Sequence, residues 1–251
     1  MRIQEYVKKY ARKFGIYKVV RDIWRMISPE VRAQISTDLI LYGRFISAGD
    51  LVFDVGANLG QKSEIFLKLG ATVVAVEPNP KSRKVLEAQF DHLGKFFIAP
   101  FAVGAYASMA TLSFKETSST ASLRPDWNGL EWGDGDLEQA VVEVVTLDFL
   151  IAQYGTPMFC KIDVEGFELE VIQGLSKPIE QLSFEFHSDE SERISQIFKL
   201  LGNLDDYKFN IIAMNDEAFL LKEWRDISEF PAALGGADLP TVGDIFVSRV
   251  S

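Results

Sequence analysis

The hydrophobic rhythm of the chain changes near residue 50. Before it, Ile3, Val7, Tyr10, Phe14, Tyr17, Val20 and Trp24 recur at spacings of three or four, with lysines and arginines between them. That period predicts an amphipathic helix. From residue 51 short apolar runs alternate with helical stretches. The runs are LVFDV (51–55), TVVAVE (72–77), KFFIAP (95–100), MFCKID (158–163), LSFEFH (182–187) and FNIIAM (209–214). Helices are predicted over roughly 60–69, 80–92, 146–154, 166–174 and 190–202. Near-continuous apolar strands separated by helices predict an α/β fold, a doubly wound and mostly parallel sheet covered on both faces.

Two stretches depart from this alternation. Residues 101–145 hold two β-like pieces, ATLSF and VVEVVTL, around the polar segment SSTASLRPDWNGLEWGDGDLE. A loop of that length in a compact domain is usually functional or disordered. From DEAFLL to GDIFVS the pattern reads as two strands around a Gly-rich insertion, FPAALGGADLP. The expected division is an N-terminal amphipathic helical extension over 1–45 and one domain over 46–251.

Composition narrows this further. A length of 251 residues suits one α/β domain with an added element, and 47% apolar with 25% charged residues fits a globular chain. Cys160 is the only cysteine, which excludes an internal disulfide framework and a Cys-rich zinc site. The sequence has neither an apolar run of membrane-spanning length nor a secretory-signal pattern, so a cytoplasmic protein is expected. Residues 1–33 carry nine Lys/Arg against three Asp/Glu, and the remainder carries 17 against 33. An acidic body argues against nucleic acid as a partner. The basic helix has two readings, peripheral contact with an anionic membrane or packing of its aromatic stripe on its own domain.

The candidate chemistry begins at DVGANLG (54–60). Gly56 and Gly60 flank Asn58, GxGxxG is not satisfied, and GxxxxGK[ST] is absent. The turn nevertheless sits between a strand and a helix, and Glu77 ends the next strand where Rossmann-like units place a ribose-binding acid. Asp54 argues between cofactors, because a carboxylate beneath the turn would repel a pyrophosphate. S-adenosylmethionine carries a sulfonium, an ammonium and a ribose diol, all compatible with nearby acids. A structural alternative is that Asp54 only caps the helix at Gln61.

FDVGANLG, VVAVEPNP and KIDVEGFELEVIQGL resemble the signature blocks of the FkbM-type methyltransferases, a branch of the class I S-adenosylmethionine-dependent enzymes. The resemblance covers about residues 48–190, with VGDIFVSR compatible with the terminal strand. It implies a seven-stranded Rossmann-like sheet, S-adenosylmethionine as cofactor and methyl transfer as the activity. It also implies that Asp54, Gly56, Asn58 and Gly60 surround the methionine moiety and that Glu77 takes the ribose hydroxyls. Pro78 and Asn79 are then expected beside the adenine, with Phe101 and Ala102 of APFAVG near the purine.

The rim chemistry follows from the strand ends. The MFCKID strand ends at Asp163 and LSFEFH ends at His187, so both are expected at the carboxyl edge of the sheet, where open α/β proteins bind ligands. Methyl transfer needs an aligned acceptor, and a hydroxyl acceptor gains from a positioned base. Asp163, Glu165 and His187 are the candidate catalytic groups, with Glu185 beside them. Glu165 could instead cap the following helix, and Lys161 could form a structural ion pair with an acid such as Glu185. Nothing in the carboxylate spacing requires a metal. The favoured reading is O-methylation of a hydroxyl on a small molecule or saccharide, for which the serines of 117–122 and Trp127 and Trp132 offer polar and stacking contacts. The alternatives are an NAD-type oxidoreductase and a non-catalytic module docked on membrane. Oligomeric state is not encoded in any of these patterns.

Overall fold

The computed structural model describes residues 28–115, 121–124, 136–214, 216, 218–230 and 240–250. The expected helix through Trp24, the serines at 118 and 119, Trp127 and Trp132 lie outside the described residues.

Helix α1 (Pro29–Tyr42) comes first, its N-terminus capped by Ser28, whose hydroxyl accepts the Val31 N–H at 3.3 Å. Strand β1 (Leu51–Val55), helix α2 (Gln61–Lys68), strand β2 (Thr72–Val76), helix α3 (Pro80–Phe90) and strand β3 (Phe96–Ala99) open the alternation. An insertion of strands follows: β4 (Ala102–Val103), β5 (Ser108–Lys115), β6 (Ala121–Ser122) and β7 (Leu137–Val145). Helix α4 (Leu147–Tyr154), strand β8 (Phe159–Ile162), helix α5 (Glu168–Gln173), strand β9 (Gln181–His187) and helix α6 (Ser191–Gly202) resume the pattern. Strands β10 (Tyr207–Ala213), β11 (Arg225–Asp226) and β12 (Val242–Arg249) complete it. The six apolar runs and five helical stretches read from the sequence all reappear, with ends shifted by one or two residues.

The main sheet has the order β11-β10-β12-β9-β8-β1-β2-β3. Neighbouring strands from β9 through β3 are parallel, while β12 runs antiparallel to both β9 and β10. Apart from the two-residue edge strand β11, this is the seven-stranded, mostly parallel sheet that the resemblance implies. The strands read as continuous apolar runs because each face is covered. Phe53, Val55, Cys160, Ile162 and Phe184 face a core built with α4, α5 and α6. Val52, Val73, Ala75 and Phe159 face the other, built with α1, α2 and α3.

The insertion forms a second sheet, β4-β7-β5-β6, with its own small core of Leu112, Phe114, Val142 and Val144. Part of the segment expected to be an irregular loop is strand β6, paired with Ser113 and Phe114.

The run DEAFLL is not the strand expected of it. Phe219 turns inward and meets Phe246 edge-on at 5.5 Å and Phe45 at 6.1 Å. The Asn210 side chain then takes up the Leu221 backbone, accepting its N–H at 3.1 Å and donating to its carbonyl at 3.0 Å. Aromatic burial and this side-chain clamp replace a strand ladder.

Tyr207 performs a similar service at the start of β10. Its fully buried hydroxyl accepts the Ile179 N–H at 3.1 Å and donates to the Ile179 carbonyl at 2.8 Å. Tyr207→Phe leaves both buried groups unpaired and should lower stability in urea by about 1–3 kcal/mol. An unchanged midpoint and slope would contradict that assignment.

Candidate functional site

The chain reverses its winding at β1, with β2 on one side and β8 on the other. The turns leaving β1 and β8 therefore lead to helices on opposite faces of the sheet, and a cleft opens at the carboxyl ends of the strands. Asp54, Gly56, Asn58, Glu77, Pro78, Phe101, Ala102, Asp163 and Glu165 all line it. Gly60 sits directly behind at the start of α2. His187 is not among the lining residues. It ends β9, two strands from β1, on the same sheet face as Glu185.

The turn after β1 needs its glycines for space as well as dihedral angle. Gly56 has φ +84, and a Cβ there would lie 1.7 Å from the Asp163 carbonyl oxygen. Gly60 has φ +79, and its Cβ would strike Phe90 and Leu86 at 2.5 and 2.7 Å. Asn58 between them is left-handed, with φ 50, a region that asparagine tolerates better than most residues. The loop is pinned to the next strand by the Gly56 and Ala57 N–H groups, both donating to the Val76 carbonyl.

Glu77 closes the other wall. One carboxylate oxygen accepts the Asn58 N–H at 2.6 Å and the other accepts the Asn79 N–H at 2.7 Å. Each oxygen has a second lone pair, so this acid ties the two turns together without exhausting its accepting capacity. Burial pushes its carboxyl up to about 7, against the lowering effect of those N–H groups. Asp54 is buried too and accepts the Ser63 hydroxyl at 2.6 Å. It does not cap α2: the N-cap position is Gly60, which has no side chain to offer. Burial raises the Asp54 carboxyl above its ordinary range.

A cluster of charge lies across the β8 side. In register, Lys161 pairs with Asp54 on one flank and Ser183 on the other, and Glu185 pairs with Asp244. Alternation puts Asp54, Lys161, Glu185 and Asp244 on one face. Lys161 is 2% exposed, and its ammonium reaches Asp163 at 2.8 Å and Asp244 at 3.9 Å. Its ion pairs are thus with these two aspartates, not with Glu185 as the sequence suggested. Burial would strip the proton from this lysine, but the two carboxylates outweigh it and keep the group charged.

The turn after β8 carries Glu165 at φ 57 and Gly166 at φ 90. Glu165 is not the residue that closes this turn. Glu168, buried at the start of α5, does so by accepting the Val164 N–H at 3.1 Å and the Gly166 N–H at 3.2 Å on one oxygen. The insertion and α6 supply the opposite contacts. The Ser122 hydroxyl donates to the Glu165 carbonyl at 2.8 Å, and Arg124 and Arg193 donate to the Gly166 carbonyl. Sequence reasoning missed Glu168 and Arg124, and it read Ser122 only as one of the polar contacts for an acceptor. For Glu168 the available signal was an acid two residues beyond a glycine, opening a helix.

Burial pushes Glu168 up to about 7 and Glu185 up to about 9, with Asp163, Glu165 and Glu168 adding to the rise at Glu185. These acids hold more protons folded than unfolded, so their contribution is complete below an unfolded value of about 4.5 and is lost as pH rises through 7 and then 9. The melting temperature should therefore fall between pH 5.5 and 9, and Glu185→Gln should flatten the alkaline part of that decline. A melting temperature that rises over this window would contradict the burial of these carboxyls.

Comparisons with known proteins place these features in a family. The model of the methyltransferase FkbM domain matches residues 54–222. Hexuronic acid methyltransferase AglP of Haloferax volcanii is 27% identical over 180 residues, 71% of this chain and 70% of that protein. Among solved structures, precorrin-6y C5,15-methyltransferase from Geobacter metallireducens aligns with a TM-score of 0.46 at 11% identity, covering 90% of each chain. An rRNA methylase from Streptococcus thermophilus aligns with a TM-score of 0.45 at 9% identity, covering 90% of this chain and 99% of that one. With its family match over both wall-forming turns and the rim between them, the chain belongs to the FkbM-domain methyltransferases.

Proposed function

We propose that the protein is an S-adenosylmethionine-dependent O-methyltransferase whose acceptor is a hydroxyl on a saccharide or other small molecule. The observation that carries the reading is the glycine turn over a buried Asp54, with Glu77 joined to Asn58 of that turn, all lining one cleft. Two buried carboxyls at this point disfavour a pyrophosphate and suit a cofactor with a sulfonium, an ammonium and a ribose diol.

The Gly56–Gly60 turn would hold the methionine end, because backbone approaches the ligand there without side chains intervening. Glu77 would accept the ribose hydroxyls with the lone pairs left over from Asn58 and Asn79. Pro78, Phe101 and Ala102, further along the cleft, would border the adenine. The cofactor supplies an activated methyl group. The chain's own task is alignment of the acceptor and removal of its proton. Asp163 and Glu165, both on the cleft wall opposite Glu77, are the groups for that proton. His187, set back beyond Glu185 on the same face, is a candidate for contact with the acceptor rather than the cofactor.

Support for a saccharide comes from the relative named for a hexuronic acid. The acid-rich rim supports a hydroxyl over a carboxylate as the accepting group, since Asp163 and Glu165 would repel an anion while Lys161 is already paired with Asp163 and Asp244. Among the described residues no helix is long and apolar enough to cross a membrane.

Isothermal titration with S-adenosylhomocysteine should give saturable one-to-one binding. Glu77→Ala should weaken it by about tenfold or more, the loss of one charge-assisted hydrogen bond. Folded wild-type protein that binds no S-adenosylhomocysteine would exclude the reading. Release of S-adenosylhomocysteine over a panel of neutral sugars and their uronic acids should be seen with hydroxyl acceptors in which the carboxylate is absent or esterified. A product methylated as an ester of the uronate carboxylate, rather than as an ether at a hydroxyl, would exclude the hydroxyl assignment.

A further inference from the structure

The turn from Asp163 to Gly166 is under unusual demands. It puts two residues in succession, Glu165 and Gly166, at positive φ, which for a residue with a side chain costs about 1–3 kcal/mol. It carries two of the cleft's carboxylates. Its Asp163 carbonyl also lies where a Cβ on Gly56 would be, so the glycine turn rests directly against it. Any shift of the 163–166 backbone would move both walls of the cleft.

Most of the polar backbone groups that could relax this turn are engaged. The Asp163 N–H donates to the Val55 carbonyl at 2.9 Å, which continues the β1 and β8 pairing. The carbonyls of Glu165 and Gly166 receive Ser122, Arg124 and Arg193 from neighbouring elements. Arg124 and Arg193 are in turn held by Glu190 and Glu170. The N–H groups of Val164 and Gly166 converge on a single oxygen of Glu168. Glu168 is itself 6% exposed, so these two N–H groups are held by a buried acceptor at the start of α5.

We propose that Glu168 is a positioning residue for the cleft. Its side-chain oxygen gathers the two N–H groups of the Val164–Gly166 turn, and so fixes where Asp163 and Glu165 present their carboxylates and where Gly56 can rest. The role depends on an acceptor at the right reach, not on charge. A purely electrostatic residue would be replaced by any carboxylate, whereas this one is defined by the length of its side chain. The consequence for cofactor affinity rests on the function proposed above; the hold on the turn does not.

Two variants separate reach from charge. Glu168→Gln keeps the length and one accepting oxygen, while Glu168→Asp keeps the charge and loses a methylene of reach. Amide hydrogen exchange, read by NMR on the full chain, should show the Val164 and Gly166 amides exchanging about tenfold faster in Glu168→Asp and within about threefold of wild type in Glu168→Gln. The amides of β8 should be unchanged in both. S-adenosylhomocysteine titration should follow the same order, with about tenfold weaker binding for Glu168→Asp and rescue by Glu168→Gln. Wild-type exchange in Glu168→Asp, or equal loss in both variants, overturns the proposal. A wild-type protein that binds no S-adenosylhomocysteine overturns the proposed function instead, and the exchange comparison still decides the role of Glu168.

Discussion

The close approach of two turns is the constraint on which the site depends. The carboxyl ends of β1 and β8 meet so tightly that the Asp163 carbonyl occupies the space a side chain at Gly56 would need. This contact sets the spacing between the glycine turn and the acidic rim. Parallel pairing of Val55 with Ile162 delivers the two chains side by side, and the left-handed Gly56 then turns one of them away into α2. A side chain at that position would have to displace backbone rather than a flexible side-chain end, which is why conformational freedom alone does not explain the glycine.

Around that contact the chain keeps an unusual amount of charge out of water. Lys161 is a buried base facing Asp163 and Asp244, on the same sheet face as Asp54 and Glu185, and it lies within the sheet rather than at its edge. Removing such groups from solvent is expensive, and the geometry here offsets it in different ways. Asp54 has the Ser63 hydroxyl, Glu77 and Glu168 each have two backbone N–H groups, and Glu185 rises in pKa until its neutral form is favoured. Asp54, Glu77 and Asp163 all line the cleft, and Asp163 is paired there with the Lys161 ammonium.

The parts of this arrangement that were legible in the sequence are those dictated by local pattern. Strands buried on both faces read as apolar runs, and the helices between them were legible as the stretches separating those runs. Asp54, Glu77 and Asp163 were legible because each stands at the end of a strand, and the ends of adjacent parallel strands share an edge. His187 satisfied the same rule yet lies away from the cleft, because β9 is two strands from β1, roughly 10 Å across the sheet. Strand ends give the edge, but only strand order gives the distance. The partner of Lys161 was hidden for a similar reason: Asp244 belongs to β12, whose insertion between β9 and β10 follows from no local signal. The DEAFLL run misled because apolar alternation cannot distinguish a paired strand from a segment folding its Phe219 onto an aromatic cluster.

The central claim is that the walls formed by Gly56–Gly60 and Glu77 hold the cofactor, with Asp163 and Glu165 at the reacting end. A crystal structure of the protein with S-adenosylhomocysteine tests it most directly. The account predicts ribose hydroxyls on the Glu77 carboxylate, the amino-acid end along the Gly56–Gly60 turn, and the sulfur on the side of the cleft nearest Asp163. A ligand seated elsewhere, or one bound in this cleft with its ribose away from Glu77, would contradict it.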